Sequence, residues 1–125
     1  MTREAPTGRG ARKRILAVVG TRPEAIKMAP VIRALRSEPW AEVRVLATAQ
    51  HRQMLDQVLD AFAIVPDVDL DIMAPDQTLP ELTSRLLSRL DEVFARERPD
   101  VVLIQGDTTT VMTAAMAAFY RHIAV

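Results

Sequence analysis

The sequence has no cysteine, and of its 125 residues only four are glycine, three phenylalanine, one tryptophan and one tyrosine. Without cysteine there is no disulfide framework, thiolate nucleophile, iron–sulfur cluster or cysteine zinc site. Net charge is missing as well. Sixteen Lys and Arg balance sixteen Asp and Glu, so no overall field calls for nucleic acid or an anionic membrane as partner. No apolar run approaches the roughly 20 residues that span a bilayer, and the N-terminal stretch lacks the hydrophobic region of a secretory signal. The cytoplasm is the expected compartment. What remains is one domain's length with 49% hydrophobic and 26% charged residues, the mix of an ordinary globular fold.

The neutral total hides a local asymmetry. Arg3, Arg9, Arg12, Lys13 and Arg14 face a single acid, Glu4, within the first fourteen residues. This segment, 1–14, is expected to be a disordered basic leader, with the folded domain over 15–125.

From Ile15 the chain alternates between two periodicities. Ile15–Val19 (ILAVV) is a continuous apolar run, as in a strand buried on both faces of a parallel sheet. Thr21 and Glu24 form a capping box with Pro23 in the first turn. A helix then runs through Ala25, Ile26, Met28, Ala29, Val31, Ile32 and Leu35, with a kink or a tightened middle expected at Pro30. Val43–Thr48 reads as a second strand and His51–Phe62 as a second helix. Residues 63–77, with two prolines and four aspartates, read as a solvated loop holding a short edge strand. A second capping box at Thr78 and Glu81 opens a helix to about Arg98. Val101–Ile104 is a strand, Thr108–Tyr120 a helix, and Ile123–Val125 the start of a further strand. The methionines at 28, 54, 73, 112 and 116 read as core filler.

This alternation predicts an α/β fold with a Rossmann-like, mostly parallel sheet of order 3-2-1-4-5. Beyond the leader there are two glycines, Gly20 and Gly106, each directly after a buried strand and directly before a helix. With strands 1 and 4 adjacent, both turns flank the crevice where open α/β sheets bind ligands.

The residues at those turns carry charge suited to a polar ligand. Arg22 and Lys27 stand close to a helix N-terminus, where the helix dipole already favours an anion, and both suit phosphate oxygens. The alternative is that both are solvated first-turn residues. No Walker loop and no GxGxxG fingerprint is present. In the second turn, either Asp107 or Thr108 caps the next helix, or Asp107 serves as a proton-transfer group or hydroxyl ligand facing those cations. After the second strand, Gln50, His51, Arg52 and Gln53 cluster polar groups. A single histidine without a partner at helical spacing makes a poor metal site, so no metal is expected. His122 reads as structural, and the 67–76 acids lack calcium-loop spacing.

Four blocks carry a resemblance: GTRPEAIKMAP (Gly20–Pro30), TAQHRQMLDQVL (Thr48–Leu59), DLDIM (Asp69–Met73) and QGDTTT (Gln105–Thr110). In this order and spacing, from about Lys13 to Val125, the chain resembles the non-hydrolysing UDP-N-acetylglucosamine 2-epimerases. The resemblance implies the N-terminal part of a GT-B fold, two Rossmann-like domains with a nucleotide sugar between them. It implies interconversion of UDP-N-acetylglucosamine and UDP-N-acetylmannosamine with no cofactor and no metal, for bacterial envelope polysaccharides, usually by a cytoplasmic homodimer. Carried over by position, Arg22, Lys27 and Asp107 match catalytic and substrate-site residues, with Gly20 and Gly106 in the turns that hold them. Gln50, His51 and Gln53 match a second, activating site for the same nucleotide sugar. Asp76 stands where some members have a regulatory arginine, and Gln105 where many have histidine. By resemblance the chain is about the first third of an epimerase, so residues 1–125 alone are expected to be inactive. Two other readings are a hydrolysing epimerase or other GT-B glycosyltransferase-like enzyme, and a non-catalytic nucleotide-sugar-binding module.

Overall fold

The computed structural model describes residues 12–48 and 52–125, with the side chain of Arg52 left out. The elements run β1 (Lys13–Val19), α1 (Arg22–Arg36), β2 (Ala41–Ala47), α2 (Arg52–Ala61), β3 (Val68–Asp69), α3 (Leu79–Glu97), β4 (Val101–Leu103) and α4 (Thr109–Tyr120). Among the described residues the strands form one parallel sheet of order β3-β2-β1-β4. A parallel bridge sets Ala124 beside Val101, so the chain past α4 takes the fifth position that the alternation predicts.

Each strand of a covered sheet must send successive side chains to opposite helical layers. Leu16 and Val18 of β1 pack with Leu82, Leu86, Leu90, Val93 and Phe94 of α3 and the alanine face of α4. Ala17 and Val19 join Met28, Ala29 and Ile32 of α1 and Leu55, Val58 and Leu59 of α2. Neighbours on both edges and helices on both faces are why Ile15–Val19 is buried without a break.

The departures from expectation have local causes. Residues 1–11 lie outside the described residues, but 12–14, expected in the leader, are part of the fold. Lys13 opens β1 by donating its N–H to Trp40 O, and the Arg14 amide donates to Asp100. Pro30 does not end α1, which continues to Arg36. It lies on the exposed side, where the Ile26 carbonyl deprived of its helical donor can be hydrated. Of the methionines expected in the core, Met28 is buried, but Met54, Met73 and Met112 are nearly half exposed. They lie on outer helix and loop surfaces, because the facing positions are filled by leucine, valine and alanine. His122 adopts φ +57° past the end of α4, where its N–H donates to Phe119 O and the Ile123 N–H to Ala118 O. That closes the helix in a Schellman-type turn.

Toward the N-terminal ends of the strands, the buried Glu97 carboxylate is held by Arg14 at 3.3 Å and Arg44 at 2.8 Å. The Arg44 guanidinium is pushed above its ordinary range, chiefly by its hydrogen bond to Glu97, and it also meets Asp67 at 3.3 Å. Asp67 in turn accepts from the Val45 amide and so aligns the edge strand. Removing Glu97 would take the shared carboxylate from both cations, leaving Arg44 with Asp67 and Arg14 with Glu42. The two arginine side chains are 35% exposed and can partly rehydrate, so Glu97→Ala should cost about 2–3 kcal/mol, less than a fully buried pair. Urea unfolding read by circular dichroism checks this; an unchanged midpoint would show the network to be idle.

Candidate active site at the two glycine turns

The pairing of β1 with β4, Ile15 opposite Val101 through Ala17 opposite Leu103, brings the Gly20 and Gly106 turns to the same end of the sheet. They are in contact. A side chain added at Gly106 would reach 3.4 Å from Glu24 Cγ, and the Thr108 hydroxyl donates to Glu24 Oε2 at 2.5 Å. Behind them, the buried hydroxyls of Thr48 and Thr110 stand 3.1 Å apart.

The two glycines answer different requirements. Gly106 has φ +112°, in the region that disfavours side chains, and is exposed. Gly20 is buried: a Cβ there would lie 2.5 Å from Thr110 Oγ1 and 2.6 Å from Thr48 Oγ1. The space left by its missing side chain is thus filled by threonines of the chain itself, not held open for a ligand.

Thr21 caps α1 in extended conformation. Glu24 Oε1 accepts from the amides of Gly20 at 2.8 Å and Thr21 at 3.2 Å. Two turn amides are already bound to a carboxylate, and Pro23 has none. Negative charge on a ligand here must be met largely by side chains. Arg22 and Lys27 are both exposed. Five residues apart, they point about 140° away from each other around the helix. Arg22 lines a hollow of about 370 Å³ with Ile26, Gln57, Val58, Ala61 and Phe62, between α1 and α2.

At the second turn Thr108, not Asp107, is the N-cap of α4, its hydroxyl accepting from the Val111 amide at 3.4 Å. The capping reading therefore belongs to Thr108, and Asp107 is exposed, its carboxylate free of that task. Gln105 is half-buried. Gln50 and His51 lie outside the described residues, and Gln53 is exposed in the first turn of α2. Among the described residues no cluster of three potential ligands could hold a metal ion, and no helix is long and apolar enough to cross a membrane. Sequence reasoning missed the cross-turn role of Glu24 and the threonine pair. The capping box identifies one oxygen of Glu24, but nothing local reveals that the other reaches a residue 84 positions away.

Residues 33–125 match the family model for UDP-N-acetylglucosamine 2-epimerase. The chain belongs to the UDP-N-acetylglucosamine 2-epimerase family. It is 58% identical over 112 residues to the Bacillus subtilis UDP-N-acetylglucosamine 2-epimerase and 56% identical to that of Escherichia coli K12, in both cases over 90% of this chain and 30% of the relative. Among solved structures, a UDP-N-acetylglucosamine 2-epimerase superposes with TM-score 0.87 at 57% identity, over 91% of this chain and 32% of that one. The Neisseria meningitidis UDP-GlcNAc 2-epimerase, solved bound to UDP-GlcNAc, gives 0.84 at 53% over 88% and 30%. The family match agrees with the α/β architecture and with the N-terminal position that the four sequence blocks imply. The chain spans about 30% of the length of the curated epimerases it matches.

Proposed function

We propose that this chain is the N-terminal Rossmann-like part of a non-hydrolysing UDP-N-acetylglucosamine 2-epimerase with a GT-B architecture. The observation that carries the reading is the contact of the GTRPEAIK and QGDTTT turns, in a chain 56–58% identical to epimerases over 112 residues. In the proposed reaction the proton leaves C2 and the C1–O bond to UDP breaks, giving 2-acetamidoglucal and UDP. UDP then adds back at C1 while a proton returns to the opposite face of C2. Arg22 and Lys27 supply positive charge where the diphosphate charge develops. The Glu24-bound amides leave that task to side chains. Asp107, on its exposed turn, acts at the sugar end as hydroxyl ligand or proton-transfer group. Gln50, His51 and Gln53 are proposed as contacts to a second, activating nucleotide sugar, and the protein as a cytoplasmic homodimer.

Because the chain spans about 30% of its relatives' length, residues 1–125 alone should give no turnover. The test uses the protein expressed through to its natural stop codon, incubated with UDP-N-acetylglucosamine in D2O. UDP-N-acetylmannosamine carrying deuterium at C2 supports the proposal. Free N-acetylmannosamine with UDP would mean a hydrolysing enzyme, and binding without either product a non-catalytic module.

A further inference from the structure

Glu24 is 2% exposed, yet its two carboxylate oxygens serve two separate turns. Oε1 takes the Gly20 and Thr21 amides beside Arg22, and Oε2 takes the hydroxyl of Thr108 beside Asp107. Backbone pairing does not reach that far: the β1–β4 ladder ends at Ala17 opposite Leu103. Beyond it the second turn passes through Gly106 at φ +112°, a residue that imposes little conformational preference of its own. The placement of Asp107 against the first turn is therefore set by the packing of α4, which holds Thr108 through the Met112 amide, and by side-chain links, of which the Glu24–Thr108 bond is the one that joins the two turns directly. Burying a carboxylate is a poor way to gain stability, since apolar packing of the same volume does as well. A satisfied buried polar network does define a unique geometry.

We propose that Glu24 is a positioning residue: through Thr108 it sets the Asp107 turn against the Arg22–Lys27 turn, and so the separation of the groups acting on the sugar and on the diphosphate. The inference rests on the epimerase reading above. Neither Glu24 nor Thr108 need touch substrate; both act by geometry, where a displacement of an ångström can cost on the order of 100-fold in rate.

The experiment compares Thr108→Val, Thr108→Asp, Thr108→Ser and Glu24→Gln in the protein expressed to its natural stop codon. Thr108→Val keeps the shape but removes the link and the α4 cap together, so Thr108→Asp, which keeps a capping oxygen and cannot donate to Glu24, is run beside it and should lose kcat as Thr108→Val does. The loss of kcat should be about 10- to 100-fold per folded molecule with KM within about threefold. Thr108→Ser keeps the hydroxyl and should restore kcat. Glu24→Gln should also retain most of it, its oxygen holding the two amides and its nitrogen donating to Thr108. In parallel, backbone ¹⁵N order parameters at 106–109 should fall from about 0.85 toward 0.6 in Thr108→Val and Thr108→Asp only. An unchanged kcat in Thr108→Val or Thr108→Asp, or a loss that serine does not rescue, overturns the positioning role. Unchanged order parameters overturn the tether itself. If the wild-type protein turns over no UDP-N-acetylglucosamine, the epimerase reading falls and the catalytic role with it, while the order parameters still decide the tether.

Discussion

Asp107→Asn, in the protein expressed through to its natural stop codon, should lower epimerase kcat by about 10²–10⁴-fold, the range for loss of a proton-transfer group. The amide matches the carboxylate in shape and removes its charge and basicity. Folding should be untouched: the side chain is exposed and Thr108 performs the capping, so stability should stay within about 0.5 kcal/mol. Binding of UDP should also be nearly unchanged, because the proposed diphosphate contacts are Arg22 and Lys27. Steady-state kinetics, thermal unfolding and UDP titration together decide the matter. A variant with wild-type kcat would remove Asp107 from the chemistry, and one that merely unfolds would make it structural.

The second large effect concerns stability. Gly20→Ala should destabilise the fold by about 3 kcal/mol, the upper end for overpacking, and lower Tm by about 10 °C or more. The new methyl would meet Thr110 Oγ1 at 2.5 Å and Thr48 Oγ1 at 2.6 Å. Both obstructing side chains are fully buried and bonded to each other, so neither swings aside cheaply. Gly106→Ala provides the contrast. Its Cβ has room, 3.4 Å to the nearest atom, and its cost is conformational, about 1–3 kcal/mol for φ +112°. Combining Gly20→Ala with Thr110→Ser tests the steric account, since serine can turn its hydroxyl away without a methyl filling the space. Partial recovery of Tm is expected; an undiminished Tm in Gly20→Ala itself would show the cage to be loose.

Much of this protein is written in local pattern. The apolar run Ile15–Val19 announces a central strand because burial on both faces removes any alternation. Thr78 and Glu81 announce the start of α3 because the two halves of a capping box are only three residues apart. The strand order follows from the alternation of periods, and the two glycine turns from their position between strand and helix. Boundaries moved where long-range pairing extended an element. β2 begins at Ala41, two residues before its apolar stretch, because its pairing with β1 runs from Lys13 opposite Ala41. Charged residues at 12–14 join the fold through distant partners: Arg12 donates to Ala41 O, Lys13 to Trp40 O, and Arg14 to Glu97 and Asp100, more than eighty positions away.

For the candidate site, the sequence by itself determined which residue types arrive at the crevice: Arg22 and Lys27 on the first turn, Asp107 on the second, with glycine before each helix. These are properties of neighbours in the chain, so spacing suffices to read them. Only the tertiary structure decided why Gly20 must lack a side chain, that Thr108 rather than Asp107 caps α4, and that Glu24 takes up amides a ligand would otherwise find. The Gly20 cage depends on Thr48 and Thr110 from other parts of the chain, and the Glu24–Thr108 bond spans 84 positions, whereas the cap and the amide bonds are local contacts that only the folded turns select. Hydrogen bonds and steric contacts across such gaps leave no periodic trace, and they exist only once the sheet has set β1 against β4.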